Sequence, residues 1–265
     1  MLVDIHCHID AYPQPALTLA AGRAAGISTL AATISLASYV RTRILCRHHP
    51  EVRVALGLHP HRAARGYEHW SEWKEVLSSA SLVGEVGLDF QSGKVETWAA
   101  QARVLQEIAE ECGRGDRVLV LHSRYAEAEA WDIVTTNQVR WVVWHDYRAE
   151  APRSLLYRAL EAGHFLAVGP DAMRDKGLRS RLRAIPREQI LTETNGPWSC
   201  LGTGDRAAAL REILRELADT WQCSPAEAEA QVEANLARIL SGLDGEPEAI
   251  GVCEGLRVGD GSRSL

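Results

Sequence analysis

The sequence predicts an α/β protein folded as a (β/α)8 barrel, and three observations predict it. Short apolar, β-rich runs alternate with helical patterns from end to end. Eight such runs can be counted, and no linker or internal repeat divides the first 240 residues. The length of 265 residues suits a single barrel, which typically needs roughly 250. A doubly wound open sheet is the rival with the same alternation.

The expected strands are 2–7, 28–34, 52–58, 82–86, 117–122, 140–144, 164–168 and 189–193. Val118–Leu121 and Trp141–Trp144 are continuous apolar runs, as parallel strands covered on both faces require. Between them, Trp98, Ala102, Leu105, Ile108, Ala109 and Cys112 recur at helical spacing, with Gly113 as a stop. Ser224-Pro225-Ala226-Glu227 reads as a capping box with proline at the first helical position, leading into Val232, Leu236 and Leu240. Residues 1–243 are expected to form the barrel. Residues 244–265, with five glycines, are expected to be a loosely ordered tail, inert or partner-binding.

Composition narrows the function. A net charge of −6 argues against nonspecific coating of nucleic acid, although bound cations can reverse the charge locally. No stretch reaches the roughly 18 apolar residues of a membrane span, and Met1–His6 lacks the basic start and apolar run of a secretory signal. Six scattered cysteines without CxxC spacing point to reduced thiols and a cytoplasmic protein.

The ten histidines carry the argument, because most follow apolar runs. In Asp4-Ile5-His6-Cys7-His8, strand alternation puts Asp4, His6 and His8 on one face, either as a bidentate metal grip or as a structural pair. Gly57-Leu58-His59-Pro60-His61 places two imidazoles at a strand exit, where they can bind phosphate, bind metal or be polar turn residues. Glu85, inside the apolar run of Gly84-Glu85-Val86-Gly87-Leu88-Asp89, needs a cation or another partner to be buried there. His122, His145, and Glu193 with Asn195 each follow a further apolar run. Their recurrence at the carboxyl ends of strands, where barrel active sites are assembled, points to a metal site.

VDIHCHID, GLHPH, GEVGLD, LHSR and LTETNGP, in this order, together with the closing NLARIL, resemble the motifs of the TatD-type metal-dependent deoxyribonucleases among the amidohydrolase-like barrels. The resemblance spans about residues 1–241. It implies a metallo-dependent hydrolase barrel with two divalent ions (Mg²⁺, Mn²⁺ or Zn²⁺). His6, His8, Glu85 and the residue at 195 would hold one ion, and Glu85, His122 and His145 the other. His59, His61 and Arg124 would lie near the scissile phosphate, with Glu193 in support. The implied substrate is DNA, cut 3′→5′ from single-stranded ends. Trp198 and Tyr147 lie on loops beside these residues and would either stack on bases or pack as ordinary loop aromatics. Arg148 is a further candidate for phosphate contact or for plain solvation.

Three departures from the family pattern stand out. His145-Asp146-Tyr147-Arg148-Ala149 alters the loop after the sixth strand, the segment between Asp89 and the next helix is short, and Asn195 occupies the family's aspartate position. An asparagine carbonyl ligates weakly and cannot accept a proton, so the expectation is retained metal and substrate binding with poor turnover. Either substitution of the residue or a naturally weakened member fits this. Two other readings stay open: a small-molecule amidohydrolase on the same barrel, and a weakened subunit of a multi-protein assembly, with partners encoded in an anti-phage defence operon as the resemblance implies.

Overall fold

The computed structural model describes residues 1–63, 70–91, 94–147, 151–198, 205–241 and 243. The tail expected over 244–265 lies outside them, as does Arg148.

Every strand pairing is parallel. The strands are β1 (Leu2–Cys7), β2 (Ile27–Ala31), β3 (Val52–Val54), β4 (Leu56–Leu58), β5 (Leu82–Asp89), β6 (Val118–Arg124), β7 (Trp141–His145), β8 (Phe165–Val168) and β9 (Ile190–Thr192). The helices around them are α1 (Pro15–Ala24), α2 (Leu36–Cys46), α3 (Trp70–Leu77), α4 (Trp98–Gly113), α5 (Glu127–Thr136), α6 (Arg153–Glu161), α7 (Pro170–Arg174), α8 (Lys176–Leu182), α9 (Arg206–Trp221) and α10 (Pro225–Ser241). The architecture is a (β/α)8 barrel.

The single run expected over 52–58 is interrupted at Ala55, so its two halves pair in different sets, β1–β2–β3 and β4 through β9. Main-chain bonds join the sets. The Ala55 amide donates to Ala31 O (2.9 Å), and the Glu85 amide donates to Thr33 O (3.0 Å). Gly57 permits this junction, because a Cβ there would lie 1.6 Å from the Thr33 carbonyl oxygen. The seam on the other side closes where the Asn195 amide donates to His6 O (3.0 Å) and the Thr192 hydroxyl to Val3 O.

The apolar runs behave as double-sided burial demands: β5 is buried along its whole length, as are Val118–Leu121 of β6 and all of β8. β5 runs three residues beyond the expected 82–86, which carries Asp89 to the barrel mouth. In α4, Leu105, Ile108, Ala109 and Cys112 face the core as their spacing predicts. Gly113 is the last residue of that helix rather than a stop beyond it, and a Cβ there would strike the Asn137 carbonyl at 1.9 Å. The capping box of α10 forms, with the Ser224 amide donating to Glu227 Oε2 (2.8 Å) and the Glu227 amide to Ser224 Oγ (3.3 Å). Among the described residues, no helix is long and apolar enough to cross a membrane.

His164, just before β8, is buried. Its Nδ1 accepts the indole N–H of Trp144 (3.1 Å), which requires a neutral ring. Burial lowers its pKa to about 4. The unfolded chain takes up this proton near pH 6.5 and the folded chain only near 4, so stability from this group is complete above pH 6.5 and is lost as the pH falls through that window. Urea unfolding at pH 7 and pH 4 is expected to show a contribution of about 3 kcal/mol to the acid loss of stability, and His164→Gln should remove it.

Candidate metal centre

The site forms at the carboxyl ends of β1, β4, β5, β6, β7 and β9, and Glu85 is its centre. Glu85 Oε1 lies 2.6 Å from His122 Nδ1, 3.0 Å from His145 Nε2 and 3.6 Å from His59 Nε2. Its Oε2 faces His8 Nε2 at 3.3 Å and His6 Nε2 at 3.8 Å. One buried carboxylate thus presents each oxygen to a different group of imidazoles, a bridging geometry.

The donor atoms fit divalent cations. His6 Nε2 and His8 Nε2 point at each other across 3.0 Å. Donors at about 2.0–2.1 Å from one ion stand at comparable separations. Among the described residues, three donor sets converge: His6 with His8 and Glu85, His59 with Glu85 and His122, and His6 with His145 and Glu193. His6 Nδ1 is buried without a hydrogen-bond partner, a polar atom that an apolar core would not tolerate.

The electrostatics agree. Burial by itself would raise the Glu85 carboxyl, but His59 and His122 beside it hold it well below the usual carboxylate range, so it stays ionised. Burial keeps His6 well below its ordinary value and His59 at about 4, leaving both rings neutral and able to ligate. His145 and His122 go the other way. Burial would lower them, but Glu193 lifts His145 well above its ordinary value and Glu85 raises His122. The carboxylates beside these two rings thus favour positive charge there, the charge a bound cation would supply.

The rings are braced from behind. His145 Nδ1 lies 3.4 Å from Glu193 Oε2, on the edge of the ring away from Glu85. Asp89 received no role from the sequence alone, yet its Oδ2 lies 3.3 Å from His122 Nε2 and 3.1 Å from His61 Nε2. The aspartate closing GEVGLD, four residues after Glu85 on the same strand, was the available signal. His59 joins one of the candidate donor sets, and His61 stands further out, half-exposed.

Asp4 shares the β1 register with His6 and His8 but serves the barrel seam, as the β1–β2 register shifts between Asp4 and Cys7. It accepts bonds from the Thr194 amide (2.8 Å), the Thr194 hydroxyl (2.8 Å), and Arg206 Nε (3.0 Å) and Nη2 (2.8 Å). Arg206 opens α9 and is buried, and nothing in its sequence surroundings announces the pairing. This network holds Thr194-Asn195-Gly196 against β1. Asn195 takes a left-handed conformation (φ 57°) and Gly196 follows it (φ 62°), with its amide on Thr194 Oγ1 (3.2 Å). Asparagine and aspartate are the side chains that best tolerate that backbone.

The two loop aromatics separate. Trp198 is 54% exposed, with its ring 4.3 Å from that of His8. Tyr147 is only 2% exposed and sits edge-on to Trp144, so it packs in the core and cannot stack on a base. Arg124 reaches the mouth from the end of β6, where its Nη2 donates to Asp146 Oδ2 (2.8 Å).

Breaking the seam network tests its weight. Arg206→Leu leaves the Asp4 carboxylate buried without its cation, which costs roughly 3–5 kcal/mol. Chemical denaturation should show that loss, and a change below about 1 kcal/mol would contradict it.

Comparison with known proteins follows this geometry. The 3′-5′ ssDNA/RNA exonuclease TatD of Citrobacter rodentium (strain ICC168) is 24% identical over 247 residues, spanning 82% of this chain and 88% of that protein. The 3′-5′ ssDNA/RNA exonuclease TatD of Cronobacter sakazakii (strain ATCC BAA-894) is 26% identical over 238 residues, spanning 84% and 90%. Among solved structures, YJJV, a TatD homologue from Escherichia coli K12, has a TM-score of 0.80 at 22% identity, covering 90% of this chain and 97% of that one. The model of the family described as TatD related DNase matches residues 3–241, and the chain therefore belongs to the TatD related DNase family.

Proposed function

We propose that the chain is a metal-dependent DNA hydrolase that removes nucleotides from single-stranded 3′ ends, with turnover held low by Asn195. The observation that carries this reading is the placement of Glu85 between two sets of imidazoles. Membership of the family and the named activity of the similar exonucleases support the substrate class.

Two divalent ions would be held by His6, His8 and Glu85, and by Glu85, His122 and His145, with His59 beside the second set. Bound there, the ions supply Lewis-acid activation of the phosphodiester and of water. Glu85 supplies the bridging charge, while Glu193 and Asp89 orient His145 and His122 through their far nitrogens. Glu193 is thus a positioning residue. Arg124 and His61 line the approach to the centre, where a phosphate would lie, and Trp198 offers an exposed ring beside His8 for a base. Asn195 stands where a carboxylate would take a proton from the attacking water, and its amide cannot do so. The free cysteines Cys7, Cys46, Cys112 and Cys223 support a cytoplasmic setting.

Restoring the carboxylate is the direct test. Because the left-handed backbone at 195 accepts aspartate as readily as asparagine, Asn195→Asp should fold normally. It should raise Mg²⁺- or Mn²⁺-dependent cleavage of a 3′-labelled single-stranded oligonucleotide by about 10²–10⁴-fold. Equal rates would refute the role assigned to position 195, and no cleavage by either protein with any of the three metals would refute the nuclease reading.

The support given to the ligands has its own measurement. Glu193→Gln and Asp89→Asn should each weaken Zn²⁺ or Mn²⁺ binding in calorimetric titrations by roughly 10–100-fold. Undiminished affinity in both would mean that they do not orient metal ligands.

A further inference from the structure

Asp146 follows His145 at the exit of β7 and pairs with Arg124, which reaches the barrel mouth from β6. Its own position is tightly determined. The backbone is left-handed (φ 45°), and its amide donates to Glu193 Oε1 (2.9 Å), so Asp146 cannot shift without releasing Glu193. From there Asp146 Oδ2 accepts Arg124 Nη2 at 2.8 Å, while Arg124 Nη1 lies 3.4 Å from Gln91 Oε1. The Asp146 side chain is 10% exposed and that of Arg124 29%. Much of the pair is thus shielded from water, where a charge on one partner is felt strongly by a third charge nearby.

We propose that Asp146 is a specificity-determining residue that neutralises Arg124 and biases the mouth against doubly charged phosphate. The inference rests on the nuclease reading for the identity of the ligand, a nucleic-acid phosphate. An unpaired guanidinium at the mouth would grip any phosphate by a bidentate, charge-assisted contact. With Asp146 on one arm of the fork, an incoming phosphate meets a guanidinium whose charge is already balanced and a carboxylate that repels it. That repulsion grows with the charge of the ligand. An internal phosphodiester carries one negative charge, whereas a terminal phosphomonoester or inorganic phosphate carries nearly two at neutral pH. The pair therefore disfavours phosphorylated ends and free phosphate over the internal linkage, and it lets products with terminal phosphates leave.

Calorimetric titration of the full chain with inorganic phosphate, at constant Mg²⁺, tests this without turnover. Asp146→Asn keeps the shape and removes the charge, and Asp146→Ser is a second variant should the first disturb folding. Either is expected to tighten phosphate binding by about three- to tenfold. The singly charged diester bis(p-nitrophenyl) phosphate should gain less. In an Arg124→Ala background the gain should shrink, because only the direct repulsion by the carboxylate is then relieved. A purely structural role for Asp146 would weaken both ligands together. The proposal is overturned if the Asp146 variants bind phosphate no more tightly, if the diester gains as much, or if the gain is undiminished without Arg124. Failure of Asn195→Asp to cut DNA would count against the nuclease reading and leave this comparison standing.

Discussion

The molecule is organised around one demand: a carboxylate at the centre of a barrel must be kept charged. An ionised group removed from water is unstable by several kcal/mol unless opposite charge or donors surround it. Glu85 meets that requirement only because strands distant in sequence deliver their imidazoles to the same point. The parallel barrel makes this delivery possible. All strands run the same way, so every carboxyl end opens at the same mouth, and a ligand-bearing residue need only sit at the right height on its own strand. The site and the fold are in this sense one object, since separating β1 from β9 or β4 from β5 would strand the carboxylate.

The regular part of this was legible in the chain. Continuous apolar runs followed by His, Glu or Asp mark strands and their upper ends together, and His6, His8, His122 and His145 stand at one mouth around Glu85. What stayed hidden depends on pairwise geometry. Arg206 and Asp4 are far apart in sequence, and an arginine that opens a helix reads as solvated until its partner is seen. Tyr147 beside Trp198 offered no period to separate a buried ring from an exposed one. The break at Ala55 left no mark either, because an apolar run looks the same whether it serves one sheet or hands over between two. His59 could be taken for phosphate or metal from its motif, and only its approach to Glu85 ranks it among the donors.

Position 195 shows how a seam can fix a backbone and leave the choice of side chain open. The left-handed turn there is imposed by the seam, through Thr194 on Asp4 and the 195 amide on β1. Asparagine satisfies that backbone and keeps nearly the same volume as aspartate. The backbone therefore does not resist exchange between the two, and the difference lies in the side chain's charge and its ability to hold a proton.

The junction at Gly57 carries an implication for how such a protein can diverge. With the Thr33 carbonyl where any Cβ would have to be, the floor of the mouth admits no side chain at that point, and the neighbouring Glu85 amide is locked to the same oxygen. Substitution that alters which molecules the barrel accepts is thereby steered outward, to the rim bearing Trp198 and Arg124, and away from the floor around Glu85. New appetites can be acquired at the lip without renegotiating the foundation.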